Sequence, residues 1–139
     1  MNIDHIGVIT KSIENSINQW TKTFGYKQAT KLVNNTRQKV NVVFMKKEGS
    51  IDIKLVEPSC ETSPIYKFAM RGGGLHHLCF KSDKLDNAVD FLTDNNCLLI
   101  SKPQPGEAFE NENIAFLLSA NNLNIELIDT DKRANKING

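Results

Sequence analysis

Asp4-His5-Ile6-Gly7-Val8 near the start of the chain and His76-His77-Leu78-Cys79-Phe80 in its second half decide the fold, because they are one pattern written twice, 72 residues apart. A repeat outranks any single motif, since overlooking it misassigns the whole architecture. The offset runs on without a gap: Asn15 falls on Asn87, Thr21 on Thr93, Asn41 on Asn113, Phe44 on Phe116, Ile53 on Ile125 and Leu55 on Leu127. Two equivalent units therefore follow one another.

Within each unit the apolar period changes in the same way. Ile6 and Val8 alternate as a strand does, and Ile13, Ile17, Trp20 and Phe24 then recur at helical spacing. Ser12 is placed to cap that helix and Gly25 to end it. In the second unit Leu78 and Phe80 alternate, Ser82 or Asp83 is the expected cap, and Leu85, Ala88, Val89 and Leu92 form the stripe. Three β-prone runs follow each helix, in the first unit around 26–33, 40–45 and 51–56, with hairpin turns expected at Glu48-Gly49 and Ala120-Asn121.

The expected fold is α+β: two tandem βαβββ modules forming one cupped eight-stranded mixed sheet, with the helices on its outer face. A single domain is expected over residues 1–131, with module 1 at 1–58, a linker at 59–74 and module 2 at 75–131. The linker reads as one short helix, with Ser63 as cap, Pro64 in the first turn and Gly72-Gly73-Gly74 as the stop. Residues 132–139 are rich in Lys and Asn with one isolated Ile137, and read as a disordered tail.

The 139 residues, 40% of them apolar, suffice for one core. Seventeen basic against sixteen acidic side chains leave a net charge of +1, too small a field for a nucleic-acid partner. No run of about eighteen apolar residues points to a membrane, and no basic and apolar leader opens the chain, so a soluble, unprocessed protein is expected. Cys60, Cys79 and Cys97 form no CxxC pair, which fits a reducing, cytoplasmic setting.

Strand parity then groups four polar residues. If Ile6, Val8, Ile53, Leu55, Leu78, Phe80, Ile125 and Leu127 face the helices, His5, Lys54, His77 and Glu126 face the other side of the sheet. Equivalence of the units brings His5 near His77 and Lys54 near Glu126. A lone histidine is more often a hydrogen-bonded core residue, but two imidazoles and a carboxylate suit a divalent metal with positions left open. Lys54 breaks the symmetry, because an ammonium cannot ligate. Either it pairs with Glu126 in the cation's place, or it swings aside and leaves His5, His77 and Glu126 as the ligands.

Asp4-His5-Ile6-Gly7-Val8, Ser63-Pro64-Ile65-Tyr66-Lys67-Phe68, Gly72-Gly73-Gly74-Leu75-His76-His77-Leu78 and Asn124-Ile125-Glu126-Leu127 together resemble the vicinal oxygen chelate superfamily of glyoxalases, bleomycin-resistance proteins and dioxygenases. Within it the chain is most similar to methylmalonyl-CoA epimerase-like proteins, from Ile3 to about Asp129. The resemblance implies a homodimer and a divalent metal, Co, Ni, Mn or Zn, at His5, position 54, His77 and Glu126, with Lys54 as the departure. It further implies an isomerase or lyase that takes a small carbonyl or acyl-thioester substrate through an enolate. In that chemistry the metal or Lys54 polarises the carbonyl and Glu126 moves the α-proton.

Two further departures bear on the substrate. Asn41 lies on the strand where the epimerases carry a second glutamate, and an amide is no base. Glu107, Glu110 and Glu112 stand in the segment 105–113, where the epimerases have a shorter loop with basic residues, and would repel a nucleotide phosphate. Lys54 and Asn41 favour the alternative, a metal-free protein that binds or sequesters a small molecule, of the bleomycin-resistance type. Replacing Lys54→Glu restores the missing carboxylate and is expected to create or tighten a four-ligand divalent site. Cobalt titration of the variant against the parent checks this, and no gain in bound metal would misplace Lys54.

Overall fold

The alternation around Ile6 and Val8 produces strand β1 (Asn2–Ile9), and the helical stripe produces α1 (Ile13–Phe24), in a computed structural model that describes residues 1–138. The chain continues through β2 (Lys27–Gln28), β3 (Val33–Asn35), β4 (Val40–Lys46) and β5 (Asp52–Pro58) to a short helix α2 (Tyr66–Met70). The second unit runs β6 (Gly74–Lys81), α3 (Leu85–Asp94), β7 (Leu98–Gly106), β8 (Glu112–Leu118) and β9 (Asn124–Ile128), with a 3-10 turn at Glu107–Phe109.

All strands join one mixed sheet in the order β2-β4-β5-β1-β6-β9-β8-β7, with β3 also on β4. In each module the first and last strands are parallel, β1 with β5 and β6 with β9, and the modules meet through the antiparallel β1–β6 pair. The sheet has nine strands among the described residues where eight were expected, because the run 26–33 is broken. Both Ala29 and Thr30 donate their N–H to the Phe44 carbonyl, at 2.7 and 3.4 Å, and the Thr30 hydroxyl accepts the Phe44 N–H at 3.0 Å. Two residues opposite one form a bulge, which splits β2 from β3.

Parity holds as the sequence implies. Ile6, Val8, Ile53 and Leu55 pack with Ile13, Ile17 and Trp20 of α1, while Ile125, Leu127 and Phe80 pack with Leu85, Ala88 and Val89 of α3. The inner face carries Ile9, Val42, Phe44, Val56, Cys79, Phe109 and Ile128 beside the four polar residues.

Helix starts were only half legible. The Ser12 side chain accepts the Asn15 N–H, and Gly25 closes α1 in the left-handed conformation at φ 75°. At α3 neither Ser82 nor Asp83 is the cap; Lys84 occupies that position without a side-chain bond. Asp129 from the end of β9 accepts the Leu85 N–H at 2.9 Å instead. Glu57, its equivalent in module 1, accepts the Ile13 N–H at 2.8 Å. Each module thus closes its helix N-terminus with a carboxylate from its own last strand, where the exposed N–H groups favour negative charge. Ser63 does not cap α2 with its side chain, whose hydroxyl is buried without a partner; its carbonyl takes the Tyr66 N–H at 3.0 Å. The glycine stop is steric: a Cβ on Gly73, at φ 68°, would lie 2.2 Å from the Ile9 carbonyl oxygen.

The segment 132–138 departs from the expected disorder; Gly139 lies outside the described residues. The carbonyl of Asn135 accepts the Lys31 N–H, and Ile137 donates to the Ala29 carbonyl, both at 2.9 Å, beside a bridge between Thr30 and Lys136. Ala134 donates to the Ala108 carbonyl at 2.9 Å. The bulge that breaks the edge of module 1 leaves backbone groups there for this strap to pair with, which composition could not reveal.

Asp129→Ala is expected to cost about 1 kcal/mol and Glu57→Ala somewhat more, because Glu57 also accepts the Asn41 side-chain amide at 3.0 Å. Thermal melts should show drops of a few degrees in both. No change in either would remove the duplicated cap from the account.

Candidate functional site

The four polar residues foreseen from parity converge at the centre of the sheet. His5 comes from β1, Lys54 from β5, His77 from β6 and Glu126 from β9, and their exposures are 0, 4, 5 and 0%. Glu126 is the hub. Its Oε1 lies 2.8 Å from His5 Nε2 and 3.2 Å from His77 Nε2, and its Oε2 lies 3.1 Å from Lys54 Nζ. Lys54 Nζ also stands 5.3 Å over the Phe109 ring, a second favourable contact for a buried ammonium.

Room for this set is made by one missing side chain. Gly7 pairs with His77 across the β1–β6 junction, and a Cβ there would fall 2.1 Å from the imidazole Cε1. The equivalent position in module 2 is Cys79, which pairs with His5. Its thiol is pushed well up by burial and by the Glu126 carboxylate, which keeps it protonated, and with Asp4 and His5 it forms a second group of donor atoms within 4.8 Å of one another.

The two histidines are held by different neighbours. His5 Nδ1 lies 2.7 Å from Asp4 Oδ2, and the ring packs edge-on to Phe44 and nearly parallel to Phe109, at 5.1 and 6.1 Å between centroids. His77 Nδ1 lies 2.9 Å from His76 Nδ1, a contact that needs one proton between the two rings. When His77 supplies that proton, its Nε2 carries a lone pair, and that atom is buried with no hydrogen-bond partner. Burial holds His77 below its ordinary 6.5, so the ring is neutral at pH 7. Burial also raises the cost of ionising Glu126, but the Lys54 charge and the His5 hydrogen bond overcome it and hold the carboxyl well below 4.5.

These residues fit a cation in donor type. His5 Nε2 gives Glu126 Oε1 its hydrogen bond at 2.8 Å, and loss of that proton would free a lone pair beside the one His77 Nε2 turns to the same oxygen. Three electron-rich atoms within 4.8 Å of one another need positive charge among them, as a proton or a metal ion. Lys54 brings positive charge to the other carboxylate oxygen at 3.1 Å, the first of the two arrangements expected for it; it does not swing aside.

A cavity of about 380 Å³ opens on this centre. Lys54 and His77 line it, whereas His5 and Glu126 lie behind them. Its walls include His76, Val56, Ile65 and Phe116, with Arg37 and Gln104 as polar members. A mostly apolar hollow ending in a lysine and an imidazole suits a small organic molecule with one oxygen to be held.

Four contributors escaped the sequence reading. Asp4 could have been suspected, being a carboxylate beside a candidate ligand histidine. His76 stands within the Gly72–His77 signature but was given no role. Phe109 belongs to the 105–113 segment whose acidic residues drew attention; there Glu107 accepts the Thr36 N–H and hydroxyl at 2.8 and 2.7 Å and binds the β3–β4 turn to the loop. Arg133, which bonds Asp4, had no local signal at all.

Burial and the neighbouring His77 hold His76 at about 4 instead of 6.5. A histidine depressed in this way contributes stability that is present above pH 6.5 and lost as pH falls toward 4, and Glu126 adds the same sign below 4.5. Denaturant midpoints should therefore fall steadily from pH 6.5 to 4, and His76→Gln should flatten that slope. An unchanged slope in the variant would place the proton uptake elsewhere.

Residues 4–116 match the family described as Glyoxalase/Bleomycin resistance protein/Dioxygenase superfamily. The uncharacterized protein YqjC of Bacillus subtilis (strain 168) is 30% identical over 120 residues, 83% of this chain and 81% of that protein. The mitochondrial methylmalonyl-CoA epimerase of Dictyostelium discoideum is 29% identical over 129 residues, 90% of this chain and 76% of that one. The crystal structure of methylmalonyl-CoA epimerase from Mycobacterium tuberculosis superposes with a TM-score of 0.80 at 26% identity, covering 91% and 86% of the two chains.

Proposed function

The chain belongs to the Glyoxalase/Bleomycin resistance protein/Dioxygenase superfamily, and on that premise we propose that it is an epimerase-like isomerase acting on a small acyl thioester or related carbonyl compound through an enolate. The observation that carries the reading is the Lys54 ammonium, 4% exposed, anchored 3.1 Å from Glu126 and lining the end of the cavity. The activity named for two relatives, methylmalonyl-CoA epimerase, supports the substrate class.

Removing a proton next to a carbonyl fails in water because the enolate oxygen is left unstabilised. Here the substrate carbonyl enters with its oxygen toward Lys54 Nζ, which has N–H donors beyond those given to Glu126. Walls of Val56, Ile65 and Phe116 exclude water, so the donated hydrogen bond strengthens as negative charge gathers on that oxygen. His77, whose ring lines the cavity, takes the α-proton at Nε2, an atom buried against Glu126 that the ring must turn to present to the substrate. Glu126 Oε1, 3.2 Å away, stabilises the resulting imidazolium. Delivery of a proton to the other face, from water or after the enolate turns over in the cavity, completes an epimerisation, and return of the His77 proton to a neighbouring atom an isomerisation. Glu126 thus acts from behind His77 while holding Lys54 in place.

A divalent ion, when bound, would be held by His5, His77 and Glu126 and would supply Lewis-acid polarisation of the same oxygen. Such binding would use the His77 lone pair, so it and proton transfer at Nε2 exclude one another. The substrate is a small molecule in this proposal, the expected partner is a second copy of the chain, and the three free cysteines suit a cytoplasmic setting.

The test is exchange of the α-proton in deuterated solvent, followed by proton NMR over a panel of 2-substituted acyl-CoA thioesters, methylmalonyl-CoA included, with metal content measured on the same samples. Lys54→Met is expected to slow exchange by at least about 100-fold. Exchange at the parental rate in that variant would remove Lys54 as the electrophile. Tight binding with no exchange across the panel would make the chain a sequestration protein.

A further inference from the structure

The strap 132–138 belongs to neither repeat, yet it carries a side chain into the heart of the inner face. Arg133 is 10% exposed, its guanidinium lies 4.2 Å over the Phe44 ring and 5.3 Å from the Phe109 ring, and its Nη2 lies 2.5 Å from Asp4 Oδ2. Asp52 stands 3.9 Å away as a second, weaker partner. Arg133 Nη1 is buried without a hydrogen bond, a costly placement for a group that a surface position would have hydrated.

The same Asp4 oxygen receives Arg133 and His5 Nδ1. A continuous line of contacts thus runs from Arg133 to Asp4 at 2.5 Å, to His5 at 2.7 Å, to Glu126 at 2.8 Å and to Lys54 at 3.1 Å. Phe44 and Phe109, on which the guanidinium rests, are also the rings packed against His5, the first edge-on and the second nearly parallel. The strap is fastened on both sides, to Ala29 and Lys31 of module 1 and to Ala108 of module 2, so it reaches Asp4 only when the two modules are closed on one another.

We propose that Arg133 is a positioning residue for the reaction centre: the C-terminal strap, through its guanidinium, fixes the Asp4 carboxylate so that His5 donates Nδ1–H and aims Nε2 at Glu126. This rests on the reading of the His5, Lys54, His77 and Glu126 cluster as that centre. A carboxylate behind a histidine fixes its tautomer and ring orientation, and disturbing that carboxylate typically weakens a bound metal 10- to 100-fold. Arginine suits the task because its planar fork holds a carboxylate in one orientation while stacking on aromatic faces.

Arg133→Met keeps a stem of similar length between Phe44 and Phe109 and removes the fork; Arg133→Gln keeps a donor but not the charge. The readout is the imidazole nitrogen spectrum of the full chain labelled with 15N-histidine, with folding confirmed by circular dichroism. Both variants, like Asp4→Asn, are expected to shift or broaden the His5 Nδ1 signal, and Lys132→Ala, which breaks the exposed pair with Glu112, is expected to leave it in place. Arg133→Lys is expected to restore the signal in part. Cobalt affinity, where the parent binds cobalt, should fall about tenfold in Arg133→Met. A folded Arg133→Met or Arg133→Gln with the parental His5 signal overturns the proposal. The spectrum requires neither substrate nor metal, so absence of isomerase activity would count against the proposed function and leave this result to be judged alone.

Discussion

Glu126 has no exposure at all, and the middle of the sheet is organised around that carboxylate. An isolated buried carboxylate would be prohibitively costly, and breaking a buried pair typically costs 3–5 kcal/mol because the remaining charge is stranded. Its closest charged and hydrogen-bonding partners, Lys54 and His5, both belong to module 1, whereas Glu126 itself is in module 2. The charge is therefore satisfied only when β1 and β6 have paired and the modules are joined. The cluster and the junction of the modules thus depend on one another.

Duplication supplies the frame, and departures from duplication distinguish the residues at its centre. Glu57 and Asp129 still perform the same task at the two helix starts. By contrast, the equivalent positions 54 and 126 hold a cation and an anion, which turns a symmetric ligand pair into an ion pair with a direction. Gly7 and Cys79 are equivalent as well, but only Gly7 makes room for an imbricated imidazole, so His77 reaches the cavity wall while His5 stays behind, locked by Asp4. One histidine is left with an open lone pair and the other is held between two carboxylates. After the repeat ends, module 1 runs into the α2 linker and module 2 into the strap.

The residues 105–113 carry more than their charge pattern. Three glutamates read as a repulsive rim, and of these Glu107 is tied to the β3–β4 turn and Glu112 to Lys132. The part of this segment that reaches the centre is Phe109, fully buried against His5, Phe44 and Lys54. Its aromatic ring shapes the dielectric around the ion pair, which a count of charges does not register.

The sequence by itself determined the duplicated βαβββ order, the parity of the central strands and the identity of the four converging side chains. Those features follow from local periods, 2 for strands and 3.6 for helices, repeated at a constant offset. Only the tertiary structure decided the rest: which carboxylate caps α3, where the edge strand breaks, which histidine faces the cavity, and that residues 132–138 return to the core with Arg133. Each of these depends on groups far apart in the chain meeting at hydrogen-bond distance, Asp4 and Arg133 being 129 residues apart, and no short-range pattern records such a meeting.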